Sequence, residues 1–480
     1  MNNHKPARIT ARTLTDEEIA SVHQGSLTTL QEVGILIHHN KALSLLAEAG
    51  AAVDPVSHRV RIPAGLVERA LQTVPPKFLV TGQDPSNDVV LGYDCPARAR
   101  PVISLDWIVD HRGKERRQVT VVDLEAWVRV VDALPNLCMV SGLYPWDVPL
   151  ETRDVRAAEA MLRLSSKPIL MAPYSGPSVK WIAQMLSAIG HRGGPRVVAF
   201  CSCNSPLIYS ESQMEVLLEA VEQDFPVLLN SSPVTGATAP VTLAGTLVVM
   251  NAEILAALTV SQLARPGAKL LYAGFPFVLD MLTSVASNGY TECGLLAAAI
   301  VEIGRSYHLP TASNGLTTDS HVCDEQAAVE KLLSGYAAVL SGASLSGGAG
   351  SLAAVGTASL EQLVIDDDIY ERIFRFQEGI NFNDDTLALE VIAAVGPQHH
   401  FLEQPHTLKY LRREFRHSKL ASRLTPGAWV EQGGRDALEM AADRVKAILK
   451  RSPESRLAPQ ILGELSRIVA RAERSGNQGI

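Results

Sequence analysis

Short apolar runs alternate with helical patterns from about residue 120 onwards, and this alternation constrains the fold more than any other feature of the sequence. Successive runs begin about 29 to 43 residues apart, which is the length of one strand followed by one helix. Strands buried on both faces of a parallel sheet read as continuous apolar runs. The runs lie at residues 137–142, 168–172, 197–201, 226–229, 269–273, 310–313 and 343–346.

Strand–helix units repeated in this way favour an α/β fold, a closed (β/α)₈ TIM-type barrel, over an open doubly wound sheet. We predict that the barrel spans residues 101–390, with its eighth strand either within residues 102–109 or after Leu363. Residues 1–100 read as an N-terminal extension of helices and strands. Residues 391–480 read as a C-terminal helical extension that packs on the barrel.

The composition excludes several classes of partner. The chain has 480 residues and a net charge of −8, so it has no general attraction for nucleic acid or anionic membranes. Its 6 cysteines include no CxxC pair, which indicates neither a disulfide framework nor a zinc site. The most apolar stretch, residues 241–263, carries Glu253 near its middle and therefore predicts a buried helix rather than a membrane span. The N-terminus lacks an apolar signal core, so we expect a cytoplasmic protein.

Loops that follow the strands form the active face of such a barrel, so residues directly after each apolar run are candidates for a binding site. Aromatic residues make up 5% of the chain, yet several of these positions are aromatic. Ring faces bind a cation that has no hydrogen to donate, such as a quaternary ammonium. Alternatively, the same rings cap the barrel core. The candidate substrate-binding residues are Tyr144, Trp146, Asp147, Tyr174, Asn230, Phe275, Phe277 and Asn314.

Two further loop residues, Asp280 and His321, are the candidates for a catalytic role. An imidazole changes its charge near neutral pH and is suited to orienting a substrate or to acid–base catalysis, although a solvated loop histidine reads in the same way. Asp324 reads as the cap of the next helix. Lys167 and Lys269 precede their strands and therefore face the opposite end of the barrel, which argues against Schiff-base chemistry.

Short motifs add little to this interpretation. Residues 348–353 fit the GxGxxA pattern of dinucleotide-binding folds, but Gly356 would interrupt the helix that the pattern requires. The patterns GxxxxGK[ST], GxSxG and HExxH do not occur in the sequence.

Longer segments resemble one protein family from nearly end to end. Residues 235–245, 251–253, 264–267, 318–320 and 359–366 are similar, in the same order, to segments of the trimethylamine methyltransferase superfamily of corrinoid-dependent methyltransferases. Long segments in order are a stronger signal than any short motif in the chain.

The resemblance implies a (β/α)₈ barrel that takes a methyl group from a methylated amine and passes it to the Co(I) of a separate corrinoid protein. The chain has no DxHxxG cobalamin-ligand motif, so we expect no cofactor or metal on this chain and cob(I)alamin, or methylcobalamin after transfer, on the partner. The archetype of the family carries pyrrolysine, whereas residues 314–317, which we align with it, are ordinary amino acids. The chain therefore resembles the non-pyrrolysine branch, some members of which demethylate glycine betaine and other quaternary amines.

A quaternary nitrogen leaves as a neutral tertiary amine, so catalysis reduces to holding one N–CH₃ bond in line with the acceptor in a dry pocket. For such a substrate we predict that the aromatic candidates cage the cation. We also predict that Asp147 or Asp280 adds a longer-range charge, and that His321 or Asn230 anchors a substrate carboxylate.

Three other functions stay open on the sequence alone. They are methyl transfer to a folate without cobalt, a non-catalytic barrel that binds quaternary amines, and a dinucleotide oxidoreductase. The expected partners are a corrinoid protein and a small quaternary amine, with no nucleic acid and no membrane. The apolar helices at the end of the chain leave a homo-oligomer open.

Overall fold

A ring of parallel strands forms the centre of the computed structural model, which describes residues 9–109, 115–190, 193–451, 455 and 457–476. Seven of the strands are joined in one continuous sheet. Every neighbouring pair in this sheet is parallel. In spatial order the strands are Arg98–Pro101, Leu345–Ala349, Thr311–Asn314, Leu270–Gly274, Val227–Ser231, Val197–Ser202 and Ile169–Met171.

Residues 137–140 close this sheet into a barrel. They form two isolated parallel bridges, one from Leu137 to Ala99 in the first strand of the sheet and one from Val140 to Ile169 in the last. The amide of Leu170 also donates to the carbonyl of Val140 at 2.9 Å. Eight parallel segments therefore complete the ring, and the predicted (β/α)₈ barrel is confirmed.

The remaining barrel strand, Arg98–Pro101, lies outside both places that the sequence suggested for it. Residues after Leu363 belong to the helix Leu360–Glu378, and residues 102–109 leave the barrel at its mouth. The prediction was wrong because this strand carries Arg98 and Arg100 and does not read as an apolar run. The predicted domain limits at residues 101 and 390 stay a prediction.

An α-helix follows each of the eight barrel segments. Capping side chains start most of these helices: for example, the Asp324 carboxylate accepts a hydrogen bond from the amide of Ala327 at 2.9 Å, as the sequence predicted. The helices are Val121–Ala133, Arg153–Leu164, Gly176–Ile189, Glu211–Glu222, Leu243–Ala264, Thr291–Ser306, Glu325–Leu340 and Leu360–Glu378.

The helix Leu243–Ala264 is long and apolar enough to cross a membrane, but 72% of its most apolar window is buried inside the protein. Its central carboxylate, Glu253, accepts hydrogen bonds from the hydroxyls of Ser205 and Ser231 and from the amide of Leu207. These partners satisfy a carboxylate that is 0% exposed. The prediction of a buried helix is confirmed.

A β-hairpin, Lys77–Val80 with Val89–Gly92, closes the base of the barrel. Its inward side chains, including Phe78 and Leu91, belong to the same buried cluster as Leu170 of the barrel interior. The base is therefore filled with apolar side chains, and polar chemistry is left to the opposite end, where the strands end.

The N-terminal and C-terminal segments wrap around the barrel. The N-terminal helices are Asp16–Thr28, Asn40–Glu48 and Ala64–Thr73, with a π-helical turn Thr29–Val33 and a 3₁₀ turn Pro85–Asn87; the strands Ile35–Ile37, Ala52–Asp54, Arg59–Arg61 and Ile208–Tyr209 form a small sheet beside them. The C-terminal helices are Asp384–Leu387, Leu389–Val395, Pro405–Glu414, Pro426–Glu431, Ala437–Leu449 and Pro459–Gly476.

Short elements cover the mouth of the barrel. The strands Val234–Thr235, Phe277–Asp280 and Val285–Ser287 form one small sheet, and Ser351–Leu352, Thr357–Ala358, Trp107–Val109 and Arg116–Gln118 form another, with a 3₁₀ turn at Leu150–Thr152. Residues 348–353 therefore continue from a barrel strand into a short strand, and the next helix begins at Leu360. A dinucleotide site requires a helix that starts at the glycines, so this pattern does not form one here.

Candidate active site at the barrel mouth

Four neighbouring strands place one row of residues inside the barrel near its mouth: Phe275, Asn314, Gly347 and Arg100. Asn314 pairs directly with Gly347 on the neighbouring strand. On its other side, Ser313 pairs with Gly274, so the next residues, Asn314 and Phe275, lie side by side. Arg100 follows Ala99, which pairs with the residue before Gly347. Two predicted substrate-binding residues, Phe275 and Asn314, thus lie in one row with an arginine that sequence analysis missed.

Arg100 is 1% exposed, and its guanidinium lies 5.0 Å from the centre of the Phe275 ring. It donates to Oδ1 of Asn314 at 3.4 Å and to the carbonyl of Pro101 at 3.0 Å. A Cβ atom on residue 347 would lie 2.2 Å from the guanidinium carbon, so any residue other than glycine there would require the guanidinium to move. Burial lowers the pKa of Arg100 to about 10, which still leaves the side chain charged at neutral pH.

Asn230 lies on the next strand along the barrel, in register with Ser202 and Ala273. Its amide nitrogen donates to the hydroxyls of Ser202 at 3.0 Å and Ser232 at 2.5 Å. Its Oδ1 is buried and has no hydrogen-bond donor among the described residues. Asn230, a predicted substrate-binding residue, therefore has a buried carbonyl oxygen that could still accept a hydrogen bond.

Two aromatic pairs form near the mouth. Tyr144 and Tyr174 meet edge to face with ring centres 5.2 Å apart, and Phe275 stacks on Phe200 with ring centres 6.0 Å apart. The hydroxyl of Tyr144 donates to the carbonyl of Ala172, which fixes this ring. The structure therefore brings three of the predicted rings into pairs, and Phe200 is a partner that sequence analysis missed.

A buried carboxylate, Asp154, supports the tyrosine pair. Asp154 is 0% exposed and accepts hydrogen bonds from the amides of Tyr174 at 2.7 Å and Val155 at 2.8 Å. Burial raises the pKa of Asp154, and these hydrogen bonds oppose the rise. Burial also raises the pKa of both Tyr144 and Tyr174, and the charge of Asp154 adds to that rise, so both phenols stay neutral.

Trp146 and Asp147 lie further out than the tyrosine pair. Trp146 is 41% exposed, and the guanidinium of Arg153 lies 4.1 Å from the centre of its ring. Asp147 is exposed and accepts a hydrogen bond from the amide of Val121 at 2.9 Å, at the first residue of a helix. One face of Trp146 is thus already covered by a cation, and Asp147 contributes to a helix start.

Asp280, Phe277 and His321 lie on the loops above the mouth. Phe277 and Asp280 begin and end one half-buried strand, which pairs with Val285–Ser287 to form a second hairpin, the mouth hairpin. The carboxylate of Asp280 accepts from the amide of Leu282 and the hydroxyl of Thr283, each at 2.9 Å, and these hydrogen bonds lower its pKa. The side chain of His321 is exposed. The structure does not place these three residues in the row that contains Arg100.

Two carboxylates, Asp319 and Glu330, join the mouth hairpin (Phe277–Asp280 with Val285–Ser287) to the loop after the strand Thr311–Asn314. Asp319 accepts hydrogen bonds from the hydroxyl of Ser287 and, at 3.0 Å, from the amide of Asn288. Glu330 accepts from the amide of Asp319 at 2.8 Å. The side-chain amide of Asn288 is buried and has no partner among the described residues. The cluster therefore holds the roof of the mouth in place.

Four residues near the mouth, Arg100, Phe200, Asp154 and Asn288, do not directly follow an apolar run and were not predicted. Phe200 lies within a run, Asp154 within a helical pattern and Arg100 in a strand that has no run, and Asn288 follows the short strand Val285–Ser287. Alternate residues of a strand point to the same side. Val198 belongs to the core inside the barrel, so Phe200, two residues later, could have been predicted to face inwards as well.

Comparisons with known proteins agree with this architecture. The family described as trimethylamine methyltransferase (MTTB) matches residues 3–477 of the chain. A trimethylamine methyltransferase of Desulfitobacterium hafniense (strain DSM 10664 / DCB-2) is 32% identical over 470 residues, which cover 96% of this chain and 93% of that protein. A glycine betaine methyltransferase of Desulfitobacterium hafniense (strain Y51) is 29% identical over 466 residues, with 95% and 96% covered.

A solved structure supports the fold independently. The monomethylamine methyltransferase of Methanosarcina barkeri (MtmB) superposes with a TM-score of 0.51 over 90% of this chain and 92% of that one, at 13% identity. The match over almost the whole length shows that the fold is shared. The family match over residues 3–477 and the 32% identity to the Desulfitobacterium hafniense protein show that the chain belongs to the trimethylamine methyltransferase family.

Proposed function

We propose that this chain is a cytoplasmic enzyme that transfers a methyl group from a quaternary amine to the Co(I) of a separate corrinoid protein. Its similarity to trimethylamine and glycine betaine methyltransferases over nearly the whole chain supports methyl transfer from an amine. The corrinoid acceptor is what the family resemblance implies.

The observation that carries the proposal is the pair of Tyr144 and Tyr174 beside the buried carboxylate of Asp154. A quaternary ammonium has no N–H to donate, so it is bound by ring faces and by a nearby negative charge rather than by hydrogen-bond acceptors. The hydroxyl of Tyr144 is already bonded to the carbonyl of Ala172, so its ring is what remains for a ligand. Tyr174 is half-buried and is the more accessible ring of the pair.

The reaction needs no proton from this chain. The methyl carbon forms its new bond with an electron pair from the acceptor, while the pair of the breaking C–N bond stays on nitrogen and leaves a neutral tertiary amine. The chain's task is to orient one N–CH₃ bond towards the mouth and to keep water away from the cation. Neither the exposed His321 nor Asp280 is required as an acid in this scheme, and we propose for them an outer role in substrate entry or charge.

An acceptor assay distinguishes the candidate reactions. The purified chain is incubated with a quaternary amine and one of three additions: a reduced corrinoid protein, tetrahydrofolate, or buffer alone. Demethylation with the corrinoid protein and not with the other additions supports the proposal. Turnover with tetrahydrofolate replaces it with the folate reaction, and tight binding without turnover in any mixture replaces it with a binding protein.

A matched pair of variants tests the position of the cation. Asp154→Asn removes the buried negative charge beside the tyrosines, and Asp147→Asn removes an exposed one nearby. We expect Asp154→Asn to raise KM for the quaternary amine by about 10-fold or more, and Asp147→Asn by less than about 3-fold, because solvent screens the exposed charge. Equal effects of the two variants would show that the cation is bound elsewhere.

A further inference from the structure

We propose that Arg100 binds a carboxylate group of the substrate, so that the quaternary amine demethylated by this chain is a betaine rather than trimethylamine or choline. This inference rests on the proposed function, because it names the substrate class of the same site. It adds a specificity-determining residue that sequence analysis did not suggest.

Arg100 is buried without a counter-charge among the described residues. A guanidinium carries five N–H donors, and the described acceptors for Arg100 are one carbonyl and one amide oxygen, of Pro101 and Asn314. Its Nε–H is buried and has no acceptor within the described part of the chain. No ion pair of the described residues includes Arg100. A buried cation without a partner is strongly disfavoured unless a ligand supplies the negative charge.

Phe275 and Gly347 surround the guanidinium of Arg100. The guanidinium carbon of Arg100 lies over the Phe275 ring, 5.0 Å from its centre, and it occupies space that a Cβ atom at residue 347 would enter. A guanidinium carries its N–H groups in one plane, and two of them can bind a carboxylate with two parallel hydrogen bonds. A planar anion such as a carboxylate therefore complements the Nε–H of Arg100, which is unpaired among the described residues.

Opposite charges lie on different sides of the barrel mouth. Tyr144 and Tyr174 follow two adjacent segments of the ring, residues 137–140 and the strand Ile169–Met171. Arg100 extends in the other direction, past Gly347 and Asn314, to reach Phe275. The mouth thus has an aromatic, negatively charged side at Asp154 and a positively charged side at Arg100. A zwitterion with a quaternary nitrogen and a carboxylate complements both sides.

A second buried arginine shows why position matters. Arg196 is 6% exposed and also has buried nitrogens without partners in the described residues. It directly precedes the strand Val197–Ser202, at the base of the barrel, and the charge of Asp132 acts on it. Arg196 therefore provides a buried control at the base of the barrel, which the hairpin Lys77–Val80 with Val89–Gly92 closes.

The decisive experiment compares two ligands that differ in one group. Choline carries a hydroxymethyl group where glycine betaine carries its carboxylate. We measure binding of each to the full-length chain by titration calorimetry, and methyl transfer from each to a reduced corrinoid protein. We expect glycine betaine, or another carboxylated quaternary amine such as carnitine or proline betaine, to bind at least about 30-fold more tightly than choline and to be the better methyl donor.

Variants then assign the difference to Arg100. We expect Arg100→Gln to weaken binding of the carboxylated ligand by about 30-fold or more and to leave choline binding within about 3-fold. Arg196→Gln should change neither ligand. A loss of both ligands in Arg100→Gln with native circular dichroism, or an equal affinity of the wild type for choline and all the carboxylated amines, would overturn the proposal.

The same measurements distinguish a failure of the carboxylate site from a failure of methyl transfer. If choline or trimethylamine is demethylated as fast as every betaine, the carboxylate site is refuted while methyl transfer from an amine stands. If no amine is demethylated but betaines bind more tightly than choline through Arg100, the proposed function is refuted while the carboxylate site stands. If Arg100→Gln does not fold, the ligand comparison on the wild type decides the question alone.

Discussion

Two fully buried cations behave differently in this barrel. The ammonium of Lys331, behind the barrel wall, donates to the carboxylate of Asp366 at 2.9 Å and to the carbonyl of Leu316 at 3.0 Å. Asp366 in turn accepts from the amide of Gly350 and the side chain of Gln362, each at 2.7 Å. Arg100, inside the mouth, has no carboxylate partner within the described residues.

The contrast separates structural from functional polar groups. Lys331 and Asp366 join two helices and the strand end near Gly350 into one satisfied network, so their burial is compensated within the protein. The charge of Arg100 is not compensated there, although the fold reserves space for it at Gly347. Unsatisfied groups of this kind are retained where a ligand completes them, at some cost in stability.

The largest expected effect is on the satisfied network. Lys331→Met leaves the carboxylate of Asp366 buried without its cation, so we expect a loss of about 3–5 kcal/mol in the free energy of unfolding. Urea unfolding followed by circular dichroism measures it. The double variant Lys331→Met/Asp366→Leu should recover much of the loss, and a single variant as stable as the wild type would show that the pair is not a structural link.

A third buried cation, Lys167, should make stability depend on pH. Its ammonium donates to the carbonyls of Val131 and Leu134, and burial lowers its pKa from the ordinary 10.5 to about 8. Between these values the unfolded chain binds more protons than the folded one, so the contribution of Lys167 to stability rises with pH.

We therefore expect the difference in unfolding free energy between the wild type and Lys167→Met to shift in favour of the wild type by on the order of 1 kcal/mol per pH unit above about pH 8. Below that pH both states are protonated and the difference should be constant. Urea unfolding of both proteins across this range measures the slope, and a difference that does not vary with pH would contradict the lowered pKa.

Replacing the unsatisfied cation should cost little stability. Arg100→Met exchanges an unpaired buried charge for an apolar side chain of similar length, so we expect the free energy of unfolding to change by less than about 1 kcal/mol or to rise. The same urea experiment compares it with Lys331→Met. A loss as large as that of Lys331→Met would place Arg100 among the structural groups and remove the contrast between the two regions.

The smallest expected effect is at the outer ring of the mouth. Trp146 is 41% exposed and Arg153 covers one of its faces, so Trp146→Ala should weaken binding of the quaternary amine by about 5-fold and leave folding intact. Titration calorimetry measures the affinity, with Trp429→Ala, on a C-terminal helix, as the control for loss of an exposed indole. An unchanged affinity would remove Trp146 from the predicted cage.

Sequence analysis found seven of the eight barrel segments because strands between a core and a layer of helices must be apolar on both faces. It missed Arg98–Pro101, where Arg98 and Arg100 interrupt the apolar pattern. The same limit applies to the site. Tyr144, Tyr174 and Phe275 follow apolar runs and were found, whereas Arg100 lies in the strand that was missed.

The sequence by itself determined the barrel, its helix starts and the position of the aromatic residues at the mouth, because each depends on burial period or capping within a few residues of the chain. Only the tertiary structure decided that Arg100 lies against Phe275 in the space left by Gly347, and that Asp154 supports the tyrosine pair. The contacts of Arg100 join segments far apart in the chain, which the barrel brings together, and Asp154 bonds to Tyr174 across two adjacent strand–helix units.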